Sequence, residues 1–301
     1  MKEKKKNEIA FRPGESFLNE SLLLLTALIW GGAFVAQKAG MDHVSPFTYN
    51  AIRFFLGSLS LLPLLLLRRR NKRTEAHLNR RKFGPLTGGI YAGLVLFGGA
   101  TLQQVGLVYT TAGNAGFITS LYVIIVPLLG LFWGIAVRTA VWIGCILAGA
   151  GLYLLAVGEG FTMTRGDIIV FAGAFFWAFH VIVLSQVSPG NDPALISILQ
   201  FGLCAVLSLI VALVREIIDL EGIIRATVPI IYGGVVSVGI AYTLQVAAQR
   251  KVHPARAAII LSLESLFAAF GGWLLLDETM TLKAMAGGLL LLTGVIVSQK
   301  R

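Results

Sequence analysis

The stretch Thr101–Gly130, TLQQVGLVYTTAGNAGFITSLYVIIVPLLG, returns without a gap at Thr243–Gly272, TLQVAAQRKVHPARAAIILSLESLFAAFGG. Thr101-Leu102-Gln103 falls on Thr243-Leu244-Gln245, Ala115 on Ala257, Ile118 on Ile260, Ser120-Leu121 on Ser262-Leu263 and Gly130 on Gly272. An internal repeat constrains architecture before any single motif does. Each copy reads as an apolar helix with a polar face, a short turn, and a second apolar helix rich in small residues. The two copies are expected to form the walls of one central site.

The match extends outward. Trp30 to Pro46 spans sixteen residues, as does Trp177 to Pro193, and on that register Phe54 falls on Phe201. Gly144 and Gly151 have the spacing of Gly287 and Gly294. Of 301 residues, 56% are hydrophobic and 13% charged, against about 25% charged in soluble domains. The mean hydropathy is +0.80. So much apolar surface needs lipid as its solvent. Long apolar runs dominate, without the strict alternation of a membrane β-barrel.

Ten candidate spans follow: Leu18–Ala39, Phe47–Leu67, Gly84–Tyr109, Ala112–Trp133, Ala140–Val157, Gly166–Val187, Ala194–Val214, Thr227–Gln249, Pro254–Leu276 and Leu282–Ser298. Residues 1–20 read as a cytoplasmic tail, 21–157 as a first five-helix repeat and 166–298 as a second. No cleavable signal peptide is expected. Five spans per copy is an odd number, so the second copy enters the membrane inverted. The expected fold is an all-α integral membrane protein of ten transmembrane helices in two inverted five-helix repeats. Such symmetry is characteristic of secondary transporters, which bind near the midplane between repeats.

The net charge of +10 is explained by topology rather than by nucleic acid. Lys2, Lys4, Lys5, Lys6 and Arg12 lie in the tail; Arg68, Arg69, Arg70, Lys72, Arg73, Arg80, Arg81 and Lys82 follow the second span. Arg250, Lys251 and Arg256 follow the eighth, and Lys300 and Arg301 close the sequence. All fall on one side with both termini cytoplasmic, while Asp42, Glu159, Asp167, Glu216, Asp219, Glu221, Asp277 and Glu278 fall on the other. The positive-inside rule therefore predicts N-in and C-in in the cell membrane.

The chain resembles the drug/metabolite transporter superfamily, in particular its EamA-type ten-span members. The resemblance rests on Trp30-Gly31, Arg53-Phe54-Phe55-Leu56, the run Ala255–Phe270, Leu276-Asp277-Glu278 and the Gly287/Gly288 to Gly294 spacing, and covers roughly Leu22 to Val297. The family's Leu-Glu-Pro in the ninth span reads Leu263-Glu264-Ser265 here. The resemblance implies a transporter of small metabolites, amino acids or related polar compounds, directed outward.

Candidate site residues are the polar and aromatic groups at membrane depth. Glu264 lies about ten residues into its span, near the midplane at ~1.5 Å per residue. An acid there costs ~2.5 kcal/mol or more unless paired, protonated or wetted. It is a candidate for proton coupling or cation binding, and equally a helix tie bonded to a neighbour or to Arg53. His180 can relay protons near neutral pH, or pack as a bonded side chain. Arg53 reads as structural, tying helices or snorkelling, with a substrate carboxylate as its functional alternative.

Gln103, Gln104, Tyr242 and Gln245 form polar faces suited to polar metabolites or to interhelical bonding. Tyr242, Gln245 and Gln249 share one helical stripe. Trp30, Trp177 and Tyr122 could stack on a substrate. Asn114, Thr119 and Ser262 lie in spans whose helix N-termini could attract an anion.

Cys145 and Cys204 lie in apolar segments and read as packing residues; no metal, cofactor or disulfide is expected. No phosphate loop, His-Glu-x-x-His or serine elbow is present, so no catalytic residue is assigned and no enzyme is expected. The expected function is a secondary transporter working by alternating access, with a small-molecule substrate, the lipid bilayer and a proton as candidate partners. The alternatives are a cationic drug exporter, in which Glu264 holds the cation, and an intramembrane lipid-modifying enzyme.

Overall fold

The computed structural model describes residues 13–69, 82–156, 164–275 and 281–300, and among them every element is helical. The basic residues before 13 and at 70–81, the acids Glu159, Asp277 and Glu278, and Arg301 lie outside the described residues.

Proline and capping residues set the helix starts. Proline lacks the amide hydrogen that the first helical turn leaves unused, so it suits that position. It opens α2 (Pro46–Ser60), α4 (Pro85–Tyr109), α9 (Pro193–Arg215) and α13 (Pro254–Leu261). Between these lie α3 (Leu62–Arg69), α5 (Ala112–Ser120), α6 (Tyr122–Phe132), α7 (Thr139–Ala156) and α8 (Arg165–Val187), with α1 (Pro13–Met41) preceding them. Then follow α10 (Leu220–Arg225), α11 (Thr227–Ile231), a π-helical segment Tyr232–Tyr242, α12 (Thr243–Gln249), α14 (Leu263–Leu275) and α15 (Leu282–Ser298). Thr111 caps α5 by accepting from the Asn114 amide at 3.1 Å. Thr164 and Asp167 form a reciprocal capping box on α8.

Eight stretches are long and apolar enough to cross a membrane: Phe17–Met41, Pro46–Leu66, Pro85–Tyr109, Ala112–Phe132, Arg165–Val187, Pro193–Arg215, Thr227–Gln249 and Pro254–Gly271. The other two expected spans are the shorter apolar helices Thr139–Leu155 and Leu282–Ser298. Large apolar side chains such as Phe17, Leu66, Phe132, Leu213 and Leu289 stand exposed along the outside. That is the pattern a lipid solvent allows and water does not.

Helices pair across the two copies. α4 runs along α8, α2 along α9, α1 along Thr227–Gln249, and α7 along α15. In the α7–α15 crossing a Cβ on Gly144 would stand 2.7 Å from the Gly294 carbonyl oxygen, and one on Gly294 2.7 Å from that of Gly144. Gly151 and Gly287 relate in the same reciprocal way, each at 2.6 Å. Rising numbers on α7 meet falling numbers on α15, so the two run antiparallel. Only glycine permits backbones so close.

Candidate functional site

The helices from both copies converge on one narrow cavity of about 30 Å³. Repeat-related positions face each other in it. Trp30 and Trp177 both line it, as do Gln103 and Gln245. So do Tyr122 and Glu264, which the gapless register of the opening stretch sets on one another.

Tyr242, last residue of the π segment, is the aromatic hub. Its ring centroid lies 4.6 Å from Trp30, 5.8 Å from Phe201, 6.1 Å from Trp177 and from His180, and 6.4 Å from Phe54. Trp30 is pinned by its indole N–H donating to the Ser237 carbonyl at 3.3 Å. Aromatic contacts of this kind add to the burial of large rings.

Polar groups sit around the aromatic centre. The Tyr122 hydroxyl donates to Glu264 Oε1 at 3.0 Å, and the Ser120 hydroxyl to the same oxygen at 3.3 Å. Ser120 and Ser265 share a 2.6 Å bond, and Ser265 donates to the Gly116 carbonyl at 2.9 Å. These bonds tie α14 to the α5–α6 span. Gln103 donates to Gln37 Oε1 at 3.0 Å, joining α4 to α1. His180 Nε2 pairs with Gln200 Oε1 at 2.9 Å, while Nδ1 is buried without a partner.

Arg53 is 1% exposed. Its Nε donates to Asn50 Oδ1 at 2.8 Å, and its guanidinium carbon lies 4.7 Å from the Phe54 ring centre. Among the described residues no ion pair joins Arg53 to Glu264; Arg225 pairs with Glu221, and Arg256 with Glu20.

Of the residues singled out in the sequence, the cavity lining contains Trp30, Arg53, Gln103, Thr119, Tyr122, Trp177, His180, Tyr242, Gln245 and Glu264. Gln104, Asn114 and Ser262 are not among them. Gln104 turns to the Gln37 carbonyl at 3.4 Å, and Ser262 returns its hydroxyl to the Ile259 carbonyl at 2.8 Å. Asn114 stands at the start of α5, whose end is already capped by Thr111. Gln37, Ser237, Phe34 and Val181 also line the cavity and carry no mark in the sequence. Among the described residues there is no group of three metal-ligating side chains.

The chain matches the EamA-like transporter family over residues 18–157 and again over 164–299. It is 32% identical over 280 residues to an uncharacterized transporter of Archaeoglobus fulgidus, covering 93% of this chain and 85% of that protein. It is 21% identical over 286 residues to the uncharacterized transporter YoaV of Bacillus subtilis, covering 92% and 94%. A solved crystal structure superposes with a TM-score of 0.73 at 18% identity, covering 96% of this chain and 97% of that one, which is a likeness of fold. With two family matches spanning nearly its whole length around a shared cavity, the chain belongs to the EamA-like transporter family.

Proposed function

We propose that the chain is a secondary transporter exporting small polar metabolites, amino acids among them, across the cell membrane by alternating access. Ten spans in two inverted repeats, with both termini cytoplasmic, form the frame of this reading. The observation that carries it is the cavity: each copy contributes a tryptophan and a glutamine at matching positions. The antiparallel, reciprocal crossing of Gly144/Gly151 with Gly294/Gly287 supports it, because repeat-related helices that meet this way are related by a two-fold axis. A two-fold in the membrane plane lets the repeats exchange conformations and so turn the site from one face to the other.

The chemistry of the lining suits a zwitterion: one cation, one carboxyl group, amides and aromatic faces in one slit. Glu264 is the coupling candidate, with Tyr122 and Ser120 holding it. The test is purified protein in liposomes loaded with labelled amino acids, with and without an imposed pH gradient. Efflux of one class is expected, accelerated by the gradient and made indifferent to it by Glu264→Gln. Absence of efflux for every member of the panel would refute the substrate class. Glu264 beside aromatic rings also favours a second reading, a cationic drug exporter. In that case Glu264→Gln abolishes cation transport outright.

A further inference from the structure

A buried guanidinium is costly unless an anion or a full set of bonds satisfies it. Arg53 has neither. Its Nε is taken by Asn50, its face is covered by Phe54, and Nη2 has no hydrogen-bond partner among the described residues. The one carboxyl group in the cavity lining is that of Glu264, whose bonds run instead to Tyr122 and Ser120. Among the described residues, Arg53 therefore lines the cavity as a cation without a counter-ion. A second donor, the Trp177 indole Nε1, is also buried there without a hydrogen-bond partner among the described residues. Asn50 anchors the guanidinium: its Nδ2 donates to the Ala100 carbonyl of α4 at 3.1 Å while its Oδ1 accepts from Arg53 Nε at 2.8 Å.

We infer that Arg53 is the subsite for a substrate carboxylate, and that Asn50 is the positioning residue that turns the guanidinium toward it. This rests on the transport reading above and narrows it to substrates bearing a free carboxylate. Asn50 is neutral, so it orients the arginine without cancelling its charge. A carboxylate at position 50 would cancel it.

The test is equilibrium binding, which does not depend on transport. Purified protein in detergent is titrated with leucine, phenylalanine and lysine, each as free acid, amide and decarboxylated amine. The signal is tryptophan fluorescence, since Trp30 and Trp177 line the cavity. At least one free acid is expected to bind at least about tenfold more tightly than its amide and amine. Arg53→Gln is expected to lose that binding and Arg53→Lys to weaken it about tenfold, because a lysine cannot give the planar two-point contact. Asn50→Asp separates the roles: it is expected to preserve or raise the melting temperature while weakening acid binding at least about tenfold. Equal binding of acid, amide and amine would overturn the inference. So would an Asn50→Asp variant that binds acids as the wild type does, or no response to any acid. Acid binding without liposome efflux would instead count against transport and leave the subsite intact.

Discussion

Tyr242 packs against five rings inside the main hydrophobic core, which it shares with Phe54, Trp177 and Phe201. Removing it leaves a hole at the centre of both repeats. Tyr242→Ala is expected to cost about 3–5 kcal/mol, seen as a large fall in melting temperature, whereas Tyr242→Phe keeps every ring contact and most of the stability. His253, in the turn before α13, makes a separate residue-scale prediction. Burial, and then Arg256 nearby, hold its pKa below the ordinary histidine range, with the Ala136 backbone partly opposing them. The unfolded chain therefore binds more protons than the folded one in the window below about pH 6.5. Stability is full above that window and falls as the pH drops through it. Melting curves between about pH 5 and 8 should lose part of this slope in His253→Gln.

Much of the site was legible at this scale, for a specific reason. Trp30 with Trp177 and Gln103 with Gln245 stand out because duplication prints each of them twice. Gln37, Asn50 and Ser237 could not be found that way. None of the three falls on an identical residue in the other copy, where Leu184, Ser197 and Val95 stand, and nothing in its spacing says which way it faces. The Tyr122–Glu264 bond joins two equivalent positions of unlike chemistry, so the repeat conceals it rather than marking it.

At the scale of elements, proline and threonine set several helix starts, because capping chemistry is local. The π segment Tyr232–Tyr242 was illegible. Its counterpart under the repeat, residues 90–100, is ordinary α-helix within α4. A π-helix closes each hydrogen-bonded ring with one residue more than an α-helix, and such segments gather at functional sites. Here it ends on the aromatic hub. The close helix crossings give a sharper test. Gly144→Ala puts a Cβ 2.7 Å from the Gly294 oxygen and is expected to cost about 1–3 kcal/mol. Gly113 in α5 has nothing within 4 Å of its would-be Cβ, so Gly113→Ala is expected to be neutral or to stabilise by up to about 1 kcal/mol. Thermal unfolding in one detergent compares the two directly.

For the whole molecule, alternating access predicts that some helix contacts break in each cycle and others persist. Arg256 of α13 meets Glu20 of α1 at 3.2 Å, where the first and ninth spans begin. A short cross-link between cysteines at these two positions, with Cys145 and Cys204 replaced, should stop efflux, and reduction should restore it. Undiminished efflux from the fully cross-linked protein would contradict the rocking of one bundle against the other.

The α7–α15 crossing carries a further consequence, and it is genetic. A clash between two side chains can be relieved by trimming either one, so such pairs accumulate second-site suppressors. Gly144, Gly151, Gly287 and Gly294 meet carbonyl oxygens instead, and no codon shortens a carbonyl. A loss-of-function substitution at one of the four has no compensating change at its partner. Revertants should restore the glycine itself or alter neighbouring side chains that hold the helices apart.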